Sequence, residues 1–564
     1  MDAQTFLDNF GAIAEAPGGT DRLRELILDL ALAGRLVQAD PDDEPVDALL
    51  DRLRRDRERT IMEWGFREQK LGPPIGSDEL PHDVPTDWTW VRLAEVAHPQ
   101  AGFAFKSTGF NEIARGLPLV RIRDIGTGET ECFFDGDFRE EFVVVEGDYL
   151  VGMDGNFNIR LWSGARALLN QRVTRLVFFG DEVERQFVVW ALQREINKLH
   201  GSRAYTTVQH LSGKQIAGSI IPLPPVAEQE RIVAKVDELM QLCDDLEARQ
   251  QARHHVTTRL RASSLDALTN AETDDDLHIT WSRIHTNWEA LTDHPDSIDA
   301  LRPTILQLAV RGKLVAQDPD DPDAHQLFRE LVAERKRLTS EKAIRRRATL
   351  PPVELDEQPF QLPSTWTWVR LDDIGDWGAG ATPKRSESRY FGGPHNWFKS
   401  GELNDSPALS GPSDETVTDD ALAECSLRFD RVGDVLVAMY GATIGRTAIL
   451  ATEGTTNQAV CACTCFSGFD NEFLFLLLRS WRRELVQMGA GGAQPNISRE
   501  KIVQSPIPLP PFAEQKRIVK RVTELFRLCD ELEAQLGGLQ SASISLARGF
   551  TAATAARASA VISA

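Results

Sequence analysis

Apolar positions along this chain follow two rhythms, and the two rhythms separate its parts. Ile518, Val522, Leu525, Cys529, Leu532, Leu536 and Leu539 step by four and three, the heptad seam of a long helix. Ile232, Val236, Leu239, Cys243 and Leu246 repeat that rhythm. Pro224-Pro225 and Pro510-Pro511 stand just upstream, where proline is tolerated only at a helix start. A continuous helix from Val226 to Leu265 would be ~60 Å long at ~1.5 Å per residue. Helical spacing also covers Leu23 to Val37, Val46 to Trp64, Leu301 to Val315 and Gln326 to Ile344. Between these stretches lie short β-branched runs punctuated by glycine and asparagine, which predict strands: Phe142 to Val145, Leu150-Val151, Val173 to Phe179, Val435 to Met439 and Ala459 to Phe466.

The pattern occurs twice. Leu30 to Asp43 (LALAGRLVQADPDD) returns as Leu308 to Asp321 (LAVRGKLVAQDPDD), and Thr89-Trp-Val-Arg-Leu93 returns as Thr367-Trp-Val-Arg-Leu371. Ile221 to Val233 (IPLPPVAEQERIV) returns as Ile507 to Val519 (IPLPPFAEQKRIV). The residues between these anchors diverge, except that Gly147 to Gly155 matches Gly433 to Gly441 and Asn170-Gln171 matches Asn457-Gln458. A repeated scaffold with divergent loops suggests two related but different ligands.

The predicted fold class is α+β: two similar mixed domains joined by long antiparallel helices acting as coiled-coil spacers in a pseudo-twofold arrangement. The divisions fall at 1–84 (helical), 85–222 (first mixed domain), 223–362 (central helical spacer), 363–508 (second mixed domain) and 509–564 (distal helical region).

Composition narrows the function. At 564 residues the chain is too long for one core. Its longest apolar run, Phe473 to Leu478, is far short of the ~20 residues of a membrane span, and Met1-Asp2-Ala3-Gln4 lacks the basic and apolar features of a secretory signal. The expectation is a cytoplasmic protein with no membrane partner. The seven cysteines do not suggest disulfides; Cys461, Cys463 and Cys465 alternate as on one face of a strand.

Net charge is −22, against nonspecific nucleic-acid binding over the whole surface. Yet His98 to Pro222 holds 14 Lys+Arg against 15 Asp+Glu, and Asp376 to Pro508 holds 12 against 16. The excess acid lies in the helical parts. Each mixed domain could present a local basic face, from Lys106, Arg121, Arg123, Arg160, Arg166, Arg172, Arg175 and Arg203 in the first. In the second the candidates are Lys384, Arg385, Arg389, Lys399, Arg446, Arg499 and Lys501.

Catalytic patterns are missing from the sequence. It contains no G-x-x-x-x-G-K-[ST] loop, H-E-x-x-H, paired C-x-x-C or Asn/Asp-Pro-Pro-Tyr/Phe tetrapeptide. Gly489 to Ala493 reads as a loop and His254-His255 as a solvated pair. No catalytic residue and no metal site is assigned. Asp154-Gly-Asn156-Phe-Asn158-Ile-Arg160, in contrast, carries amide and guanidinium groups able to bond base edges. Tyr440-Gly-Ala-Thr443-Ile-Gly-Arg446 offers different chemistry at the matching place. The residues alone leave open a two-domain protein-binding adaptor without DNA readout, and an enzyme with an unfamiliar site.

The two repeated motifs, Pro-Leu-Pro-Pro-x-Ala-Glu-Gln-x-Arg-Ile-Val and Ala-x-x-Gly-Lys/Arg-Leu-Val-x-x-Asp-Pro-Asp-Asp, resemble those of the specificity subunits of Type I restriction-modification systems. Gly102-Phe-Ala-Phe-Lys-Ser107 and Met153 to Asn158 are similar to one class of recognition domain; Trp397 to Glu402 with Met439 to Gly445 resemble another. The resemblance implies a non-catalytic subunit that reads a split double-stranded DNA target with two domains and holds no cofactor itself. Two modification subunits would use S-adenosylmethionine, and restriction subunits would use ATP and Mg. Expected DNA contacts are Lys106, Ser107, Arg121, Arg123, Asn156, Asn158, Arg160, Arg172 and Arg203 in the first domain. In the second they are Lys384, Lys399, Ser400, Glu402, Tyr440, Thr443, Arg446 and Asn496.

Overall fold

A computed structural model describes residues 10–11, 13–68, 71–77, 79–155, 157–201, 211–489 and 495–560. They form two compact units, one running to Arg253 and resuming at Gln540, the other spanning His254–Leu539. Each unit has an α+β domain flanked by helices.

The repeated motifs bind each domain to its own helices by matching bonds. Thr89–Arg92 pairs antiparallel with Ile220–Leu223, and Thr367–Arg370 with Pro506–Leu509, so the chain enters and leaves each domain through a two-stranded ribbon. From that ribbon Trp88 Nε1 donates to the buried Glu228 carboxylate at 3.0 Å, and Trp366 Nε1 to Glu514 at 2.9 Å. The next residue of the motif ties the start of the long helix to the start of a second helix, Arg185–Gly201 or Asn471–Ser480. Gln229 donates to Pro224 O and accepts from Glu184 N; Gln515 donates to Pro510 O and accepts from Asp470 N. Arg231 then pairs with Asp43 at 2.7 Å, and Arg517 pairs with Asp321. The Pro-Asp-Asp loop, the Trp ribbon and the long helix are thereby one lock, built twice.

The helices follow the predicted pattern, the two long ones running further and three others ending earlier. Val226–Asn270 is a single 45-residue helix, and Phe512–Ala560 is one of 49 residues. Val46–Trp64 has the predicted bounds. Gly19–Leu32 and Leu301–Val310 stop before the predicted Val37 and Val315. Gly34 and Gly312 end them in the left-handed region, at φ 68° and 70°. There a Cβ would lie 2.4 Å from the ring of Pro85 or Pro363, so glycine is required twice at the same place. Ala324–Ser340 likewise ends early, followed by Lys342 at φ 57°.

The heptad seam is buried only at its start. Ile518, Val522 and Cys529 are buried, Leu525, Leu532 and Leu536 are half-buried, and Leu539 is 68% exposed. Further along the same helix, within the first unit, Ala547 packs with Ile13, Ala14, Leu23 and Cys243.

Each domain holds two sheets. In the first, Ala97–Ala101, Val173–Phe178, Tyr149–Gly152 and Ile159–Leu161 form an antiparallel sheet in that order. The other sheet is mixed, with Leu117–Val120 parallel to Ala167–Leu169. In the second domain Gly375–Ala379, Val460–Cys465, Val435–Ala438, Thr447–Leu450 and Ser406–Leu409 are neighbours in that order. Phe391–Phe398 runs parallel to Gly454–Thr456 in its companion sheet. Cys461 and Cys463 are buried in their strand, and burial pushes the Cys461 thiol up to about 12. The apolar run Phe473–Leu478 is a helix rather than a strand, wholly buried on the domain core.

Candidate nucleic-acid interface

At one end of each domain the same four segments meet, held by the same backbone bonds. In the first domain the strand Ala97–Ala101 leads into Gly102 and Phe103, whose N–H groups donate to Val173 O and Leu169 O, both at 2.9 Å. Leu117–Val120 ends there too, with Val120 O accepting from Asn170 N at 3.3 Å. Met153, after the strand Tyr149–Gly152, donates to Arg172 O at 3.1 Å and accepts from Leu211 N at 2.8 Å. A Cβ on Gly102 would sit 2.1 Å from Asn170 O, so the approach is closed to every other residue.

The second domain repeats this. Gly380 and Ala381 donate to Val460 O and Thr456 O, Asn457 to Phe398 O, Met439 to Ala459 O, and Ile497 to Met439 O, at 2.8 to 3.1 Å.

Residues after the parallel strand turn back on themselves by one device. Asp124 Oδ2 accepts from Arg121 N at 2.9 Å, and Glu402 Oε2 accepts from Lys399 N at 2.7 Å. Each carboxylate holds a turn that displays the preceding cations. Glu402 also accepts from Asp414 N at 2.9 Å, so both its oxygens serve the loop. The signal available for this role, a cation followed three residues later by a carboxylate in both Arg121–Asp124 and Lys399–Glu402, went unused in the sequence reading.

The two tips carry different side chains on this shared frame. Arg123 is exposed on the first turn, with its guanidinium 3.8 Å from Asp124. Arg172 pairs with Asp154 at 2.9 Å. Asn158, Arg160, Lys106 and Ser107 are exposed nearby in sequence. In the second domain Lys399 pairs with Glu415, which Arg385 also bonds; these two cations hold the Glu415 carboxyl down to about 2. Ser400 is half-buried in the same turn. Tyr440, 42% exposed, forms an antiparallel bridge with Asn496, and Thr443 Oγ1 donates to Tyr440 O at 2.8 Å. Arg446 O accepts from Ala438 N beside them, and Lys384 is exposed four residues past Gly380.

Asn156 and Arg203 lie outside the described residues, as does most of Gly489 to Ala493. Arg175 does not belong to a basic face. It is buried, bonding Gln100 Oε1, Val143 O and Glu141 O, and burial lowers its pKa. Its place in the strand Val173–Phe178 turns it inward. Arg166, Arg389 and Arg499 pair with Glu140, Glu424 and Glu500. Sequence reading passed over Phe103, which stands at the first tip with 41% of its surface exposed.

Among the described residues no helix is long and apolar enough to cross a membrane, and no His/Cys/Asp/Glu group is arranged to hold a metal.

A duplicated frame that closes two displaying tips is a recognition architecture, and comparison with known proteins gives its class. The profile of the Type I restriction modification DNA specificity domain matches residues 85–253 and 363–537. The chain belongs to that family: it is a specificity subunit, the non-catalytic component that recognises the DNA target in a restriction-modification complex. It is 27% identical to the Type I restriction enzyme EcoAI specificity subunit of Escherichia coli, over 94% of this chain and 93% of the relative. The EcoEI specificity subunit of the same organism is 28% identical over the same shares. Among solved structures, the HsdS subunit from Thermoanaerobacter tengcongensis aligns at TM-score 0.40 and 20% identity, over 83% of this chain and 98% of that one.

Proposed function

We propose that each domain reads one half of a split, asymmetric duplex target with the tip just described, while the long helices set the separation of the halves. Two modification subunits dock on the helices and bring S-adenosylmethionine to adenine N6; restriction subunits bring ATP and Mg. The complex works in the cytoplasm. The observation that carries this reading is the pairing of a matching backbone frame with different side chains: the first tip has Asp154 paired with the exposed Arg172 where the second has the exposed Tyr440 and a buried Ala459. Cations on the tips would neutralise phosphates and position the loops, and amide, hydroxyl and guanidinium groups would read base edges. Exposed Leu242, Val256 and Leu260 on one long helix, and Leu528 and Leu546 on the other, support helix-borne protein docking.

The test is selection from a random duplex pool by this chain assembled with its modification partner. Two short conserved blocks separated by a fixed unconserved gap are expected. Exchanging the first domain's tip residues should change one block and leave the other. No enrichment, or one uninterrupted block, would overturn the reading.

A further inference from the structure

Phe103 has no counterpart in the second domain, where the matching backbone position is Ala381: Phe103 N donates to Leu169 O as Ala381 N donates to Thr456 O. Its backbone is fixed by the bridge to Asn170, next to a glycine that nothing can replace. Its ring is held from behind. Phe105 lies 5.2 Å from it edge-on, Phe142 5.1 Å, and the Arg139 guanidinium 5.7 Å from its centroid. What is left open is an aromatic surface, 41% of the residue, at the end where the exposed Arg172 and the turn carrying the exposed Arg123 also lie. An aromatic with a locked ring and one open side is a preorganised apolar contact. In a major groove the apolar group on offer is the C5-methyl of thymine.

We infer that Phe103 is a specificity-determining residue of the first domain, packing on the methyl group of a thymine in that domain's half-site. This rests on the two-tip reading above and goes further, assigning one residue to one chemical group.

The experiment uses the complete chain with its modification partner and the target selected by the wild type. Deoxyuridine replaces each thymine of the first half-site singly, on either strand, and affinity is measured for wild type, F103A and F103L. One replacement should weaken wild-type binding roughly fourfold, the factor that one buried methyl supplies. The same replacement should leave F103A unchanged, and F103L should recover part of the discrimination. F103A should keep wild-type selectivity at the second half-site, which shows that the variant is folded. The inference is overturned if no thymine occurs in the first half-site, if no uracil replacement weakens the wild type, or if the effect persists undiminished in F103A. Each of those results is compatible with target selection by the wild type, so it would leave the two-tip reading standing. Failure of selection itself would remove both.

Discussion

The Glu-Trp lock predicts that one isosteric change will affect the two copies unequally. Glu514 is 1% exposed and uses both oxygens: Oε1 accepts from Gln317 Nε2 at 2.7 Å and Oε2 from Trp366 Nε1 at 2.9 Å. Turning the Gln317 amide over would require the Thr365 hydroxyl, which donates to its oxygen at 2.7 Å, to give up that bond and accept from the amide NH2 instead. In E514Q with the Thr365 bond kept, the new NH2 must face one of these two donors and leave it unsatisfied, at about 1–3 kcal/mol. Glu228 is equally buried, but among the described residues Trp88 is its one side-chain donor. The first copy has Ala39 where the second has Gln317. E228Q can therefore keep its oxygen on Trp88. Burial raises the pKa of both glutamates, so the relief from removing a desolvated charge is common to both variants and cancels in the comparison. The expected difference is about 2 kcal/mol, or roughly 30-fold in local opening. Hydrogen exchange read by mass spectrometry on the ribbons Thr367–Arg370 and Thr89–Arg92 measures it. Equal acceleration of the two ribbons, or a larger effect of E228Q, would refute the reasoning.

Three further outcomes are expected. G312A places a Cβ in a left-handed position 2.4 Å from Pro363 Cγ, and should lower the stability of its unit by about 2 kcal/mol or more in urea titrations; G34A should do the same against Pro85. Asp430 is fully buried, and burial pushes its carboxyl up to about 7; Arg428 Nε lies 2.9 Å away without the alignment of a hydrogen bond. The folded state keeps a proton that the unfolded chain gives up near pH ~4, so the associated stability is complete below that value and is lost as pH rises through about 7. D430N should flatten this loss, by an amount on the order of a few kcal/mol, in unfolding titrations across pH 4 to 8. R123A removes an exposed cation from a turn closed by Asp124, and should weaken binding to all duplexes alike while lowering the slope of log affinity against log salt by about 0.9. A loss confined to one base pair would make Arg123 a base reader instead.

The helices and the two domains were visible in the sequence because duplication, heptad spacing and proline punctuation are local signals that survive without knowledge of packing; that the repeated Trp-Val-Arg stretches pair with Ile220–Leu223 and Pro506–Leu509 as ribbons was not. The repeated Ala-Glu-Gln-x-Arg and Asp-Pro-Asp-Asp stretches also stood out, but their purpose did not. They touch one another across nearly two hundred residues, and only folding brings Arg231 to Asp43 and Arg517 to Asp321. Charge type alone could not separate Arg175, turned into the sheet among carbonyls, from Arg123, turned outward on a turn. Nor could it show that both oxygens of Glu402 are taken by backbone N–H groups. The amino-acid order by itself determined that a scaffold is built twice and that its loops diverge. Tertiary structure decided which of those loop residues face outward together, because strand direction and long-range backbone bonding, not neighbouring sequence, aim each side chain.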